Sequence, residues 1–282
     1  MKSNTLGDDA DARRAKVSLS GVPETMLWPL WNRAAETKRA DALVDDPWAV
    51  DLVERIDYDF RASFGKPTVF HPIRSRYCDD LLRAYVARHG ERATVVALGE
   101  GLDAQRLRAG EGVARWYSVD LPESIETRAR LVPGTDEERL IARSAVDHGW
   151  MDEVDALSPP FITALGLLMY FEPDEVSILL RTIADRFPGA ELVFDAIPPF
   201  FSRRTTKGAD VTKSYRMPPC PWGISVDDLP GFLTSLGWEP TQVQTYADPF
   251  PERLRFYSFL GKIRAIRSRL AGSLVHATAL AL

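Results

Sequence analysis

The feature that most constrains the fold is a five-residue apolar run, Thr94-Val95-Val96-Ala97-Leu98, that stops at Gly99-Glu100-Gly101 and leads into a helix-like segment, Ala104 to Arg108. An apolar run with no polar alternation predicts a strand buried on both faces, and such strands belong to parallel sheets covered by helices. The glycines supply a tight turn and let a ligand approach the backbone closely. The unit recurs. Trp116 to Val119 stops at Asp120, a weaker run covers Leu140 to Ala145, and Pro160 to Leu165 and Glu191 to Phe194 follow. Helix-like segments, Ser124 to Leu131 and Asp174 to Phe187, lie between them. The alternation predicts an α/β fold with a doubly wound, mostly parallel sheet.

Pro198 to Pro221 is too long and proline-rich for an ordinary connection and reads as a functional loop or cap. Val226 to Leu236 is helical in pattern. Gln242 to Tyr246 and Arg255 to Leu260 read as strands of a terminal antiparallel pair, with Asp248-Pro249 in the turn. Upstream of the first strand the pattern is helical from Ser18 to about Tyr58. Asp46-Pro47 reads as an N-cap followed by proline at the first helical position. A third helix spans Ile73 to His89 and ends at Gly90. The expected organisation is a disordered segment 1–16, a helical lid 17–90, a nucleotide-binding domain 91–262 with a cap at about 198–225, and a tail 263–282. That tail reads as a loose helix or frayed extension, with membrane-surface attachment as the sharper alternative.

A chain of 282 residues, 45% of them hydrophobic, suffices for one large core plus a small lid. A net charge of −5 gives no basic footprint for nucleic acid. Two cysteines, Cys78 and Cys220, with no CxxC pair fit a reducing, cytoplasmic setting. Four scattered histidines offer no metal-binding spacing, so no metal is expected. Residues 1–16 lack a signal peptide's apolar core, and no run of about 18 apolar residues spans a membrane. The oligomeric state stays open.

Asp120 lies 19 positions after Gly101, the distance at which a carboxylate accepts hydrogen bonds from a bound ribose. The loop also satisfies a dinucleotide pattern, so a nicotinamide oxidoreductase is the rival reading. Glu100 and Asp103 would repel a pyrophosphate but tolerate the cationic S-adenosylmethionine (SAM); Asp103 could equally be a helix N-cap. Asp147, after the third strand, is a candidate acceptor for the adenine amino group, or simply a loop aspartate.

Gly99-Glu100-Gly101-Leu102-Asp103, Asp120-Leu121-Pro122-Glu123, Asp147 with Trp150, and Gly166-Leu167-Leu168-Met169-Tyr170 together resemble the leucine carboxyl methyltransferase family. The nearer likeness is to its bacterial branch of tetracenomycin-type polyketide O-methyltransferases. Gly21 to Thr25, Asn32-Arg33-Ala34, Asp45-Asp46-Pro47 and Arg74-Ser75-Arg76 extend the likeness over roughly residues 16–260. The resemblance implies a seven-stranded class I SAM-dependent methyltransferase sheet with a helical lid and an inserted cap. It implies small-molecule O-methylation with S-adenosylhomocysteine as product. It also implies an arginine for the SAM carboxylate, Arg74 or else Arg76, with Leu121, Val146 and Leu165 completing the cofactor contacts. One departure stands out: Ala164-Leu165-Gly166 occupies the place of the family's Ala-Glu-Gly. Leu165 cannot accept a hydrogen bond, which leaves a catalytically silent SAM-binding protein as a further alternative.

A carboxylate acceptor needs no base, whereas a phenol or enol does, and no dyad that would supply one is evident. Tyr170 is the candidate catalytic residue. Candidate substrate contacts are Tyr170, Asp195, Arg203 with Arg204, Tyr215 and Trp222, with Met26, Trp28, Leu30 and Trp31 as lid-lining residues or plain core.

Overall fold

The structure is a computed structural model that describes residues 15–17 and 19–281. The expectation of disorder for 1–14 lies outside the described residues. Ala15–Lys16 does not fit it, forming a two-residue parallel ladder with Ile56–Asp57.

Seven strands form one sheet: β1 (Thr94–Leu98), β2 (Arg115–Asp120), β3 (Glu138–Ala142), β4 (Phe161–Ala164), β5 (Glu191–Ala196), β6 (Trp238–Thr245) and β7 (Ser273–Ala279). Their spatial order is β3-β2-β1-β4-β5-β7-β6. The first five are parallel, and β7 is antiparallel to both β5 and β6. The expected doubly wound, mostly parallel seven-stranded sheet with a terminal antiparallel pair is therefore present. The strand order reverses at β1, which places a crevice at the carboxyl ends of β1 and β4.

Helices α1 (Leu27–Thr37), α2 (Pro47–Arg55) and α3 (Phe60–Phe64) precede the sheet, and α4 (Phe70–His89) leads into it. Helices α5 (Gln105–Ala109), α6 (Pro122–Leu131) and α7 (Pro173–Arg186) connect the parallel strands. Beyond β5 come α8 (Pro199–Thr206), α9 (Leu229–Ser235), α10 (Arg255–Leu260) and α11 (Arg264–Leu270). The period of two explains why β1 is apolar throughout. Val96 and Leu98 join the core formed with Val176, Leu179 and Ile183 of α7, while Val95 and Ala97 join Ile73, Leu82 and Tyr85 of α4.

Three readings are corrected here. Arg255–Leu260 is a helix, and β6 takes β7 as its antiparallel partner in its place. The tail is more than a helix or extension: α11 is followed by β7, buried along most of its length between β5 and β6. The lid also ends earlier than residue 90. Helix α4 covers the sheet itself, and its Tyr85 hydroxyl accepts from Thr94 N–H and donates toward Pro159 O. The lid proper is α1–α3, anchored as read at Asp46, whose side chain accepts from Ala49 N–H one position beyond Pro47 and Trp48. Leu27, Leu30, Ala34, Leu52 and Phe64 pack it onto Leu102 of the glycine loop.

Candidate active site

A cavity of about 460 Å³ lies beyond the carboxyl ends of β1, β2, β4, β5 and β6, roofed by the lid. Its size suits a small-molecule site. At one end lies the glycine loop. Gly99 and Gly101 have φ of 63° and 53°, in the left-handed region that favours glycine. A Cβ on Gly99 would come within 2.7 Å of Leu167, and one on Gly101 within 2.8 Å of Met26, so the lid sits directly on the loop. Asp120 faces the loop from the end of β2. Its two oxygens accept from Gly101 N–H (2.8 Å) and Leu121 N–H (2.7 Å). Burial pushes its pKa up, and those bonds pull against the shift.

Arginines hold the loop in shape. Arg128 donates to the carbonyls of Gly101 and Asp103 (3.0 and 2.7 Å) and pairs with Glu100 and Glu138. Glu100 also accepts from Trp116 Nε1 and Ser118 Oγ. Burial raises the Glu100 pKa to about 7 although Arg128 opposes the shift, since Glu138 shares that guanidinium. Arg33 bridges Asp46 and Asp103 (2.8 and 3.3 Å), and Arg108 bridges Asp46, Asp103 and Asp79. Burial alone would raise the Asp103 pKa, but Arg108 and Arg33 pull it down to about 2. Glu100 and Asp103 are thus both paired with arginines, and Arg33 ties the loop to the lid through Asp103 and Asp46.

Between the two ends lies Arg74. Its Nη1 is 3.1 Å from Asp195 Oδ2, while Asp195 Oδ1 accepts from Gly166 N–H and Oδ2 also accepts from Tyr246 OH (2.7 Å). Gly166, at φ 68°, leaves room for the guanidinium: a Cβ there would meet Arg74 Nη1 at 2.6 Å. Arg74 Nε is buried and has no partner among the described residues.

The far end is apolar and aromatic. Met169, Tyr170, Ile197, Phe201, Met217, Trp28, Phe70 and His71 line it. Burial pushes the Tyr170 pKa up, so the phenol stays protonated. His71 is held by Asn32, whose amide is oriented by its hydrogen bonds with Thr68. Thr68 N–H donates to Asn32 Oδ1 (3.1 Å), which leaves the Asn32 amide nitrogen facing Thr68 Oγ1 and His71 Nδ1. Nδ1 must then accept, and neutral His71 carries its proton on Nε2. Burial, then the charges of Arg74 and Arg33, holds its pKa well below 6.5.

The cavity brings together Met26, Trp28, Arg74, Gly99, Glu100, Gly101, Asp103, Asp120, Leu121, Leu165, Tyr170 and Asp195 of the residues singled out from the sequence. The others are placed elsewhere. Arg76 lies on the outer face of α4, paired with Asp80. Val146 packs against the core. Asp147 accepts from Gly149 N–H and pairs with Arg143, which hold its pKa down, and it does not line the cavity. Arg203 and Arg204 are exposed on α8. Tyr215 is buried against Phe64 and Trp28, and Trp222 between Phe194 and Phe232. The sequence reading missed His71 and Tyr246. His71 lies three residues before Arg74, which puts both on one face of α4. Tyr246 directly follows β6, at the same sheet edge as Asp195. Among the described residues no group of three or more His, Cys, Asp and Glu side chains could hold a metal ion.

The leucine carboxyl methyltransferase family matches residues 27–184. The chain is 32% identical over 190 residues to the tetracenomycin polyketide synthesis O-methyltransferase TcmP of Streptomyces glaucescens, a match that covers 66% of this chain and 70% of that protein. It is 28% identical over 205 residues to the S-adenosyl-L-methionine-dependent methyltransferase dpfgK of Gibberella zeae, covering 65% and 68%. SAM fits the residues present: two glycines that admit a close ligand, a carboxylate fixed at the β2 end, and a buried arginine with an unpartnered donor. The chain belongs to the leucine carboxyl methyltransferase family and is a SAM-dependent methyltransferase.

Proposed function

We propose that the chain transfers methyl to oxygen, and specifically to the carboxylate of a small, apolar or aromatic acceptor. The observation that carries this reading is the contact of the Asn32 amide nitrogen with His71 Nδ1. Because Asn32 occupies Nδ1 as a donor, the nitrogen left for a ligand is a protonated Nε2, which donates and cannot remove a proton. Tyr170, kept protonated by burial, is a second donor. Of the cavity's acidic side chains, Glu100, Asp103 and Asp195 are paired with arginines, and Asp120 is engaged by two backbone N–H groups. Two neutral donors and no free base suit an acceptor oxygen that is already ionised. The name of the Streptomyces relative supports oxygen as the acceptor atom and a polyketide-like skeleton.

Bound SAM supplies a methyl group activated on a positively charged sulfonium. In this reading Asp120 holds the ribose, the Gly99–Gly101 turn carries the backbone contacts, and Arg74 binds the cofactor carboxylate. Asp195, hydrogen-bonded to Gly166 next to Leu165, supplies the negative charge that Leu165 lacks. His71 and Tyr170 orient the acceptor, while Trp28, Phe201 and Met217 exclude water. No proton is released, so the turnover rate follows ionisation of the acceptor.

The test is methyl transfer from labelled SAM to paired aromatic carboxylic acids and phenols of matched size. Ester formation with the acids and none with the phenols is expected. Phenol methylation without ester formation would overturn the choice. Asn32→Asp sharpens the test: a carboxylate facing Nδ1 demands a proton there, frees Nε2 as a base, and should raise the phenol-to-acid ratio.

A further inference from the structure

Residues 255–270, Arg-Phe-Tyr-Ser-Phe-Leu-Gly-Lys-Ile-Arg-Ala-Ile-Arg-Ser-Arg-Leu, form α10 and α11. Five of these sixteen residues are Lys or Arg and none is acidic, in a chain whose net charge is −5. The same sixteen residues hold five of the nine exposed large hydrophobic side chains among the described residues: Phe256, Tyr257, Phe259, Ile263 and Leu270. Phe256 and Phe259 are 68% and 66% exposed, an unusual state for phenylalanine. Arg255, Lys262 and Arg269 have no ion-pair partner among the described residues, and Arg264 and Arg267 reach theirs only at 3.4 and 3.6 Å.

We propose that α10 and α11 form a docking face for an anionic lipid surface. Exposed aromatics interleaved with unpaired or loosely paired cations are what an interfacial segment presents to lipid, the rings entering the headgroup boundary and the cations meeting anionic headgroups. No helix among the described residues is long and apolar enough to cross a membrane, so the contact is peripheral. The charge pattern disfavours a second copy as the occupant, since a symmetric pairing would set these cations against each other.

The face also adjoins the cavity. Tyr257 packs edge-on to Phe70, a cavity wall, at 5.4 Å between ring centroids. Helix α11 packs on α8, where Phe200 is exposed and the next residue, Phe201, lines the cavity. An apolar acceptor dissolved in lipid would meet the enzyme beside its acceptor end.

The test is co-sedimentation of the full chain with vesicles of phosphatidylcholine alone or mixed with phosphatidylglycerol. Binding to the mixed vesicles, about tenfold or more weaker on phosphatidylcholine alone and weakened by salt, is expected. Phe256→Ser with Phe259→Ser, and separately Arg264→Glu with Arg269→Glu, should each reduce binding about tenfold or more while leaving S-adenosylhomocysteine affinity unchanged, which shows that the fold is intact. Absence of binding to either vesicle, binding indifferent to these substitutions, or a dimer in sedimentation velocity that the phenylalanine changes dissociate would each overturn the proposal. The last outcome would identify a second copy as the occupant.

Discussion

The two ends of the cavity are built on opposite principles. At the cofactor end, backbone shape is fixed by buried charge: Arg33, Arg108 and Arg128 hold Asp46, Asp79, Asp103, Glu100 and Glu138. At the other end, proposed to hold the acceptor, aromatic and thioether side chains fill space, and His71 and Tyr170 are read as neutral donors. Charge removal should therefore unfold one end, while shape-conserving changes at the other should alter chemistry with little loss of stability.

The largest effect is expected from Arg108→Met, which touches the ion network without lining the cavity. It leaves two buried aspartates, Asp46 and Asp79, and the partly exposed Asp103 short of a cation and should cost about 3–5 kcal/mol in urea denaturation. A cost below about 1 kcal/mol would break the comparison. Asp120→Ala should weaken S-adenosylhomocysteine about 10–100-fold by titration calorimetry, the range expected on losing charge-assisted hydrogen bonds. Tyr170→Phe should leave that affinity within about threefold and slow methyl transfer about tenfold, since it removes one donor and little volume. An equal loss of cofactor binding in Tyr170→Phe would show that the two ends are not separable.

The smallest effect concerns pH. His71 has a folded pKa held below its unfolded value near 6.5, so below that pH the unfolded chain binds one more proton than the folded one. Stability should accordingly fall as pH drops from 6.5 toward 5.5, by about 1 kcal/mol from this group. Urea melts of His71→Phe should show that much less pH dependence over the same interval.

What the sequence made legible is what is local. The strand–turn–helix around Gly99, the carboxylate at Asp120 and the cap at Asp46 each need only a few adjacent residues. The acceptor end is assembled from the lid, the first turn of α4, the turn after β4 and the cap, so no single stretch announces it. Tyr215 and Trp222, candidate substrate contacts by composition, pack within and beside the cap and do not line the cavity. Arg255–Leu260 has strand-like aromatic content, but tertiary pairing overrides that local preference. Ser273–Ala279 hid for the converse reason: alanines dilute a run whose burial comes from lying between two other strands.

That interposed strand has a consequence for biosynthesis. Strand β6 leaves the ribosome before β7, yet its ladder partner is β7 alone, and β5 also keeps an unpaired edge until β7 arrives. Two open edges thus coexist in the nascent chain while residues 246–272 are translated, a state prone to off-pathway pairing with other chains. A chain cut before Ser273 would retain the glycine loop and Asp120 but keep those edges for good, so its failure should show as aggregation rather than as selective loss of cofactor affinity.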